Sequence, residues 1–268
     1  ANDKNFKGYR MELGIGNDPD SWEVLAQSPT VRQAEVLYNW DTTGLEGQHT
    51  LKLAVEDFTS GQVVVNRQII VDNTPPRAEV TIPEADAVVS DNLKIVGTAT
   101  DNYFASYELH LAGVANPEAD DWQPIEGRSA NPVNNGTLRQ FATTTVDDGI
   151  YSLRLKVTDK VGQVSTVRRT ITIDNAPPQI DIVFPEEGTF VTGTVAITGT
   201  ASDINFKRYE IQIGSGAVPT NWETLTENTA PRKANVLFTW ESGDLEGEYT
   251  LKLIVEDLIH DQVEQIRH

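Results

Sequence analysis

The 268 residues, 38% of them apolar and spread in short runs, suffice for two or three small folded units with real cores. With 21 basic against 40 acidic side chains the formal charge is -19, which repels phosphate backbones and anionic headgroups and excludes nucleic acid and membrane surfaces as partners. The absence of cysteine excludes disulfides, thiolate metal sites and a cysteine nucleophile, and no run approaches the roughly 18 apolar residues that span a bilayer, so any signal or anchor is expected outside these residues.

In chain order, strands are expected over Lys7 to Ile15, Trp22 to Leu25 and Ala34 to Trp40. In Thr50 to Asp57, Leu51, Leu53 and Val55 alternate with Lys52 and Glu56, the pattern of a half-buried antiparallel strand. A turn from Asp57 to Gly61 leads into Val63 to Val71, and VDNTPP follows, with Pro75 and Pro76. A double proline cannot sit in a strand ladder, so this reads as a stiff joint at a boundary. Beyond it come two strands around a proline and acidic turn, then Ser106 to Leu111, Trp122 to Ile125, Thr137 to Phe141, a strand ending at Asp159, and Val164 to Ile173. IDNAPP, with Pro177 and Pro178, opens a third series with Lys207 to Ile213, Trp222 to Leu225, Ala234 to Trp240 and a strand ending at Asp257.

These series are copies of one unit of about 100 residues. Val36 to Asp57 matches Val236 to Asp257 at 13 of 22 positions without a gap, and Trp22, Trp122 and Trp222 are spaced by 100. The expected organisation is residues 1–74 as a module lacking its first two strands, 75–176 as a complete module and 177–268 as a module lacking the end of its last strand. Two sources of the missing strands stay open: a longer polypeptide, or donation by another subunit. Seven short antiparallel strands per complete module, with no helical stripe, predict an all-β chain of tandem immunoglobulin-like β-sandwiches.

The joints, Gly97-Thr-Ala-Thr-Asp101 with Gly199-Thr-Ala-Ser-Asp203, Tyr107 and Tyr209, and Gly149-Ile-Tyr151 with Gly247-Glu-Tyr249 resemble the tandem bacterial Ig-like (immunoglobulin or fibronectin type III-like) modules of exported surface or cell-envelope proteins. The resemblance covers essentially the whole chain and implies the sandwich fold and an exported, multimodular parent. It does not imply an activity. This chain departs from the pattern at His49, at Phe141 and at His260-Asp261, which replaces a turn glycine.

No catalytic motif is present, the four histidines have no metal-ligand spacing, and the paired carboxylates Asp120-Asp121, Asp147-Asp148 and Glu186-Glu187 fall in turns, so no enzyme is expected. Calcium is the one cofactor for which candidate ligands exist, because it takes six to eight oxygens. Asp72, Asn73, Asp174 and Asn175 precede the proline pairs, and Asp3, Asp101 and Asp203 recur in one loop. The plain alternative is that these residues cap the turn into the prolines. Asp57, Asp159 and Asp257 read as turn acceptors, with a metal role as the alternative that their periodicity does not separate. Trp22, Trp122 and Trp222 are candidates either for stacking carbohydrate or for packing against their own sandwich.

The functional expectation is a non-catalytic structural array, the stalk or filament part of an exported bacterial surface protein, with further modules or subunits of the same protein as partners. The alternatives are carbohydrate- or protein-binding adhesive modules, or the accessory region of a cell-wall or polysaccharide enzyme.

Overall fold

The computed structural model describes residues 4–59, 61–243, 245–260 and 262–268; Asp3 and Asp261 lie outside them. The chain is all-β, arranged as several antiparallel sheets of the tandem Ig and fibronectin type III kind, and it divides into two compact units. The first holds residues 1–76 with the loops 101–104 and 159–164; the second holds the rest. Among the described residues no helix is long and apolar enough to cross a membrane.

In the first unit, β1 (Phe6–Ile15), β2 (Glu23–Ser28), β3 (Gly47–Asp57) and β4 (Gln62–Val71) form one antiparallel sheet in the order β2-β1-β3-β4. The register sets Tyr9, Met11 and Leu13 opposite Val55, Leu53 and Leu51. Tyr9 and Leu13 are buried, whereas Met11, Leu51, Leu53 and Val55 are only half-buried. The strand expected over Ala34 to Trp40 is not formed, and Val36 and Tyr38 are exposed. Its counterpart in the third repeat is held by a neighbouring strand that has no equivalent among the described residues of this unit, and without a ladder partner the backbone stays irregular.

In the second unit, the middle repeat consists of β5 (Arg77–Ile82), β6 (Ala87–Val89), β7 (Asn92–Thr100), β8 (Phe104–Ala112), β9 (Gln123–Pro124), β10 (Val133–Ala142), β11 (Gly149–Asp159) and β12 (Val164–Ile173). That is eight strands where seven were expected. The first strand breaks at the proline turn, and its second part, β6, pairs parallel to β12 in the other sheet. The sheets are β10-β7-β5 and β6-β12-β11-β8-β9. The third repeat has seven described strands: β13 (Gln179–Phe184), β14 (Thr194–Ser202), β15 (Phe206–Ser215), β16 (Glu223–Asn228), β17 (Arg232–Glu241), β18 (Tyr249–Asp257) and β19 (Val263–Arg267). They form the sheets β13-β14-β17 and β16-β15-β18-β19. Its core is closed by Ile182, Ile197, Tyr209, Ile211, Leu253 and Val255, each with no exposed surface.

Two sequence signatures have local structural reasons. A Cβ at Gly97 or Gly199 would collide with the Glu79 or Asp181 carbonyl of the neighbouring strand, beside a register shift. Only glycine permits that approach. The repeated tyrosines are core residues whose hydroxyls donate to a backbone carbonyl distant in sequence: Tyr107 to Leu138 at 2.8 Å and Tyr209 to Leu237 at 2.5 Å across their sandwiches and, more loosely, Tyr9 to Leu37 at 3.2 Å in a segment that forms no strand.

Candidate metal centres

At the first joint, the chain leaves β4 through Asp72, while the loop after β7 supplies Asp101 and the end of β11 supplies Asp159. Asp72 is 8% exposed and Asp159 2%, and the Oδ2 atom of each has no hydrogen-bond partner. The Asp159 Oδ1 accepts the N–H groups of Val161, Gly162 and Gln163 at 2.9, 2.7 and 2.9 Å, as a turn acceptor should. Asp101 Oδ1 likewise accepts from Tyr103 N–H at 2.6 Å. Burial first, then repulsion from Asp101, Asp159 and Glu46, raises the Asp72 carboxyl above the ordinary range. Buried carboxylate oxygens without donors, crowded by like charge, form a place where a cation is favoured.

The second joint repeats this with Asp174, Asp203 and Asp257. Asp174 is 1% exposed, and neither of its carboxylate oxygens makes a hydrogen bond of ordinary geometry, although the Ala176 N–H and the Asp203 carboxyl lie close to it. Burial and then Asp203 push its carboxyl up to about 6. Asp257, 3% exposed, accepts from the N–H groups of Ile259 and His260 at 2.9 and 2.5 Å, and its Oδ2 lies 2.7 Å from His260 Nδ1. One ligand atom each from Asp174, Asp257 and His260 lies within 4.8 Å of the others. Burial works against a charge on His260, but Asp257, Asp174 and Asp203 outweigh it and raise the imidazole pKa. Asp174 and Asp203 also line an open cleft of about 380 Å³ with Asp148, Ser202 and Lys233, which gives the cluster a route to solvent.

The other two linker residues have different partners. Asn73 Nδ2 donates to the Thr42 and Leu45 carbonyls at 2.7 and 2.9 Å, while its backbone N–H donates to Glu46 Oε1 at 2.9 Å. Asn175 Nδ2 donates to the Thr143 carbonyl at 3.3 Å and to Asp148 Oδ1 at 3.1 Å, and its backbone N–H reaches Asp148 Oδ1 at 2.8 Å. These amides pin the joint to the preceding repeat, and the acid before Gly47 and Gly149 caps each pin. Sequence reasoning grouped them with the aspartates. It read Asp159 and Asp257 as turn acceptors first, with a metal role only as the alternative that their recurrence could not decide, and it left His260 out of the metal candidates.

The three tryptophans lie under cations. Lys52 Nζ stands 4.1 Å from the Trp22 ring centre and Lys252 Nζ 4.3 Å from that of Trp222. Trp122, 8% exposed, has the Arg154 and Arg168 guanidinium carbons at 4.1 and 5.1 Å. Each contact is worth about 0.5 to 2 kcal/mol, and the cation stands over the indole ring.

No family model and no curated protein matches the chain. Solved structures do. One is a tetra-tandem repeat in the extending region of a large adhesion protein, at 14% identity and TM-score 0.38, covering 97% of this chain and 65% of that one. Another is a 1.5-MDa bacterial ice-binding adhesin studied for host cell surface retention, at 13% identity and TM-score 0.32, covering 99% of this chain and 86% of the other. This chain therefore spans slightly less than two thirds of the first structure's length. The sandwich assignment rests on the strand pairing itself.

Proposed function

We propose that this chain is a non-catalytic structural array of Ig-like modules, the stalk or filament part of an exported bacterial surface protein, acting outside the cell or on its surface. Its partners are further modules or subunits of the same protein. The observation that carries this reading is the repeated build of the joints: at each, the linker asparagine is pinned to the repeat before it, and the linker aspartate is buried against acidic loops of the repeat after it. Calcium held at the first joint by Asp72, Asp101 and Asp159, with backbone carbonyls and water completing six to eight oxygens, would stiffen that coupling. At the second joint Asp174 and Asp203 stand in the equivalent positions for a cation.

Small-angle scattering of the chain tests the array: an elongated profile is expected, and a compact globular one overturns it. Melting in chelator and in millimolar calcium tests the cation, with a rise of a few degrees expected from linkage and an unchanged midpoint against it. Carbohydrate binding at Trp22, Trp122 and Trp222 is the competing reading. Polysaccharide retention abolished by their replacement with alanine, in folded protein, would put it first.

A further inference from the structure

We infer that the second joint is a site for a borderline divalent transition metal of the zinc class, held by Asp174, Asp257 and His260 with Asp203 beside them, and thus differs in metal preference from the all-oxygen first joint. This rests on the reading of the joints as cation-coupled. The first two aspartates and His260 already place three ligand atoms within 4.8 Å of one another. Ligand atoms around a tetrahedral zinc at about 2.0 to 2.2 Å stand about 3.3 Å apart, so side-chain adjustment is enough to close the set. Asp174 supplies the independent pointer to a ligand, since it is 1% exposed and neither of its oxygens makes a hydrogen bond of ordinary geometry, with only the Ala176 N–H and the Asp203 carboxyl as polar neighbours.

The imidazole sets the preference. Calcium takes hard oxygen ligands in sixes to eights, whereas nitrogen with carboxylate in a small set suits zinc, nickel or copper. His260 follows Asp257 by three residues, the place that Gly162 takes after Asp159 in the middle repeat. The first joint therefore has no counterpart of this nitrogen. Asp257 Oδ2 and His260 Nδ1 already stand side by side at 2.7 Å, with two backbone N–H groups holding the other Asp257 oxygen, so a metal that displaces the proton between them takes both as ligands.

The test uses the whole chain, without a histidine tag, stripped by chelator and titrated with zinc chloride, with calcium chloride in parallel. Imidazole nitrogen resonances are followed through the titration. One tight equivalent of zinc is expected, perturbing the imidazole of His260 among the four histidines. His260→Gly, which restores the residue of the middle repeat, and Asp174→Asn should each weaken zinc binding at least tenfold, while the calcium response that depends on Asp72 persists. The imidazole readout on the unmodified chain keeps the test valid if a variant folds poorly. Equal zinc binding in the parent and both variants, no perturbation of His260, or calcium bound at this joint as tightly as zinc would overturn the inference. Failure here with an elongated, calcium-stabilised chain leaves the array reading in place; a compact chain that binds zinc through His260 reverses that outcome.

Discussion

Residues 36–57 and 236–257 agree at 13 of 22 positions, yet they do not fold alike. In the third repeat Val236, Phe238 and Trp240 lie in β17 and pair with Thr198, Ile197 and Val195 of β14. In the first repeat Val36 to Trp40 forms no strand. The following strand is the same in both, since β3 pairs β1 in the register with which β18 pairs β15, but Leu253 is fully buried where Leu53 is half-buried. What differs is the neighbour. A β-type sequence becomes a strand when a partner satisfies its N–H and C=O groups, and an alternating strand becomes core when a second sheet covers it. The tyrosine bond survives the difference, at 2.5 Å to Leu237 and 3.2 Å to Leu37, so a single side-chain contact holds the segment near without making it a strand.

The largest effect that would sharpen this contrast is in the core. Leu253→Ala should destabilise β18 by about 2 to 5 kcal/mol, whereas Leu53→Ala should cost less than about half as much because less apolar surface is lost. Several repeats in one chain make a single unfolding midpoint ambiguous, so the comparison is read from amide exchange of the two strands. Equal losses would break it. Next in size, Tyr209→Phe removes a buried hydrogen bond and should cost about 0.5 to 1.5 kcal/mol, with the same change at Tyr9 costing less. A larger loss at Tyr9 in the same exchange measurement would mean that the first repeat depends on the latch more than its looser geometry implies.

The smallest difference is in acid response. Hydrogen bonding to Arg208 and then Lys207 holds Glu256 below the usual carboxylate range. A carboxyl depressed by folding contributes stability above its unfolded value of about 4.3 and loses it as pH falls through the folded value. Opening of β18 should therefore increase as pH falls from about 5 to 3, and Glu256→Gln should flatten that slope. Glu56 is also depressed, by Lys7, but this pair is largely in solvent. Glu56→Gln is expected to leave the profile of β3 unchanged within error, as exposed pairs contribute little.

Period-two runs, the copy-to-copy identities and the proline pairs made the all-β repeat legible from sequence. Two elements were not. The strand at 87–89 is three residues long and pairs in parallel with a segment some eighty residues later, so no local pattern marks it. The segment 34–40 carries a strand pattern whose outcome depends on a neighbour rather than on its own residues. At the joints, the recurrence of Asp72 with Asp174 and of Asp101 with Asp203 was visible. The bare oxygen of Asp159 beside Asp72 was not, because its other oxygen behaves as an ordinary turn acceptor and only the packed structure shows this one without a partner. The Trp22 environment was equally hidden, since the covering Lys52 is thirty residues away.

Amide exchange of the intact chain in calcium and in chelator, resolved to short peptides, tests the central claim most directly, because it reports the joints and the two unlike segments together. The account predicts that calcium slows exchange in the loops carrying Asp101 and Asp159 and in the linker at Asp72, while residues 36–40 exchange quickly and 236–240 slowly in both conditions. Joint loops indifferent to calcium, with 36–40 protected as well as 236–240, would contradict it.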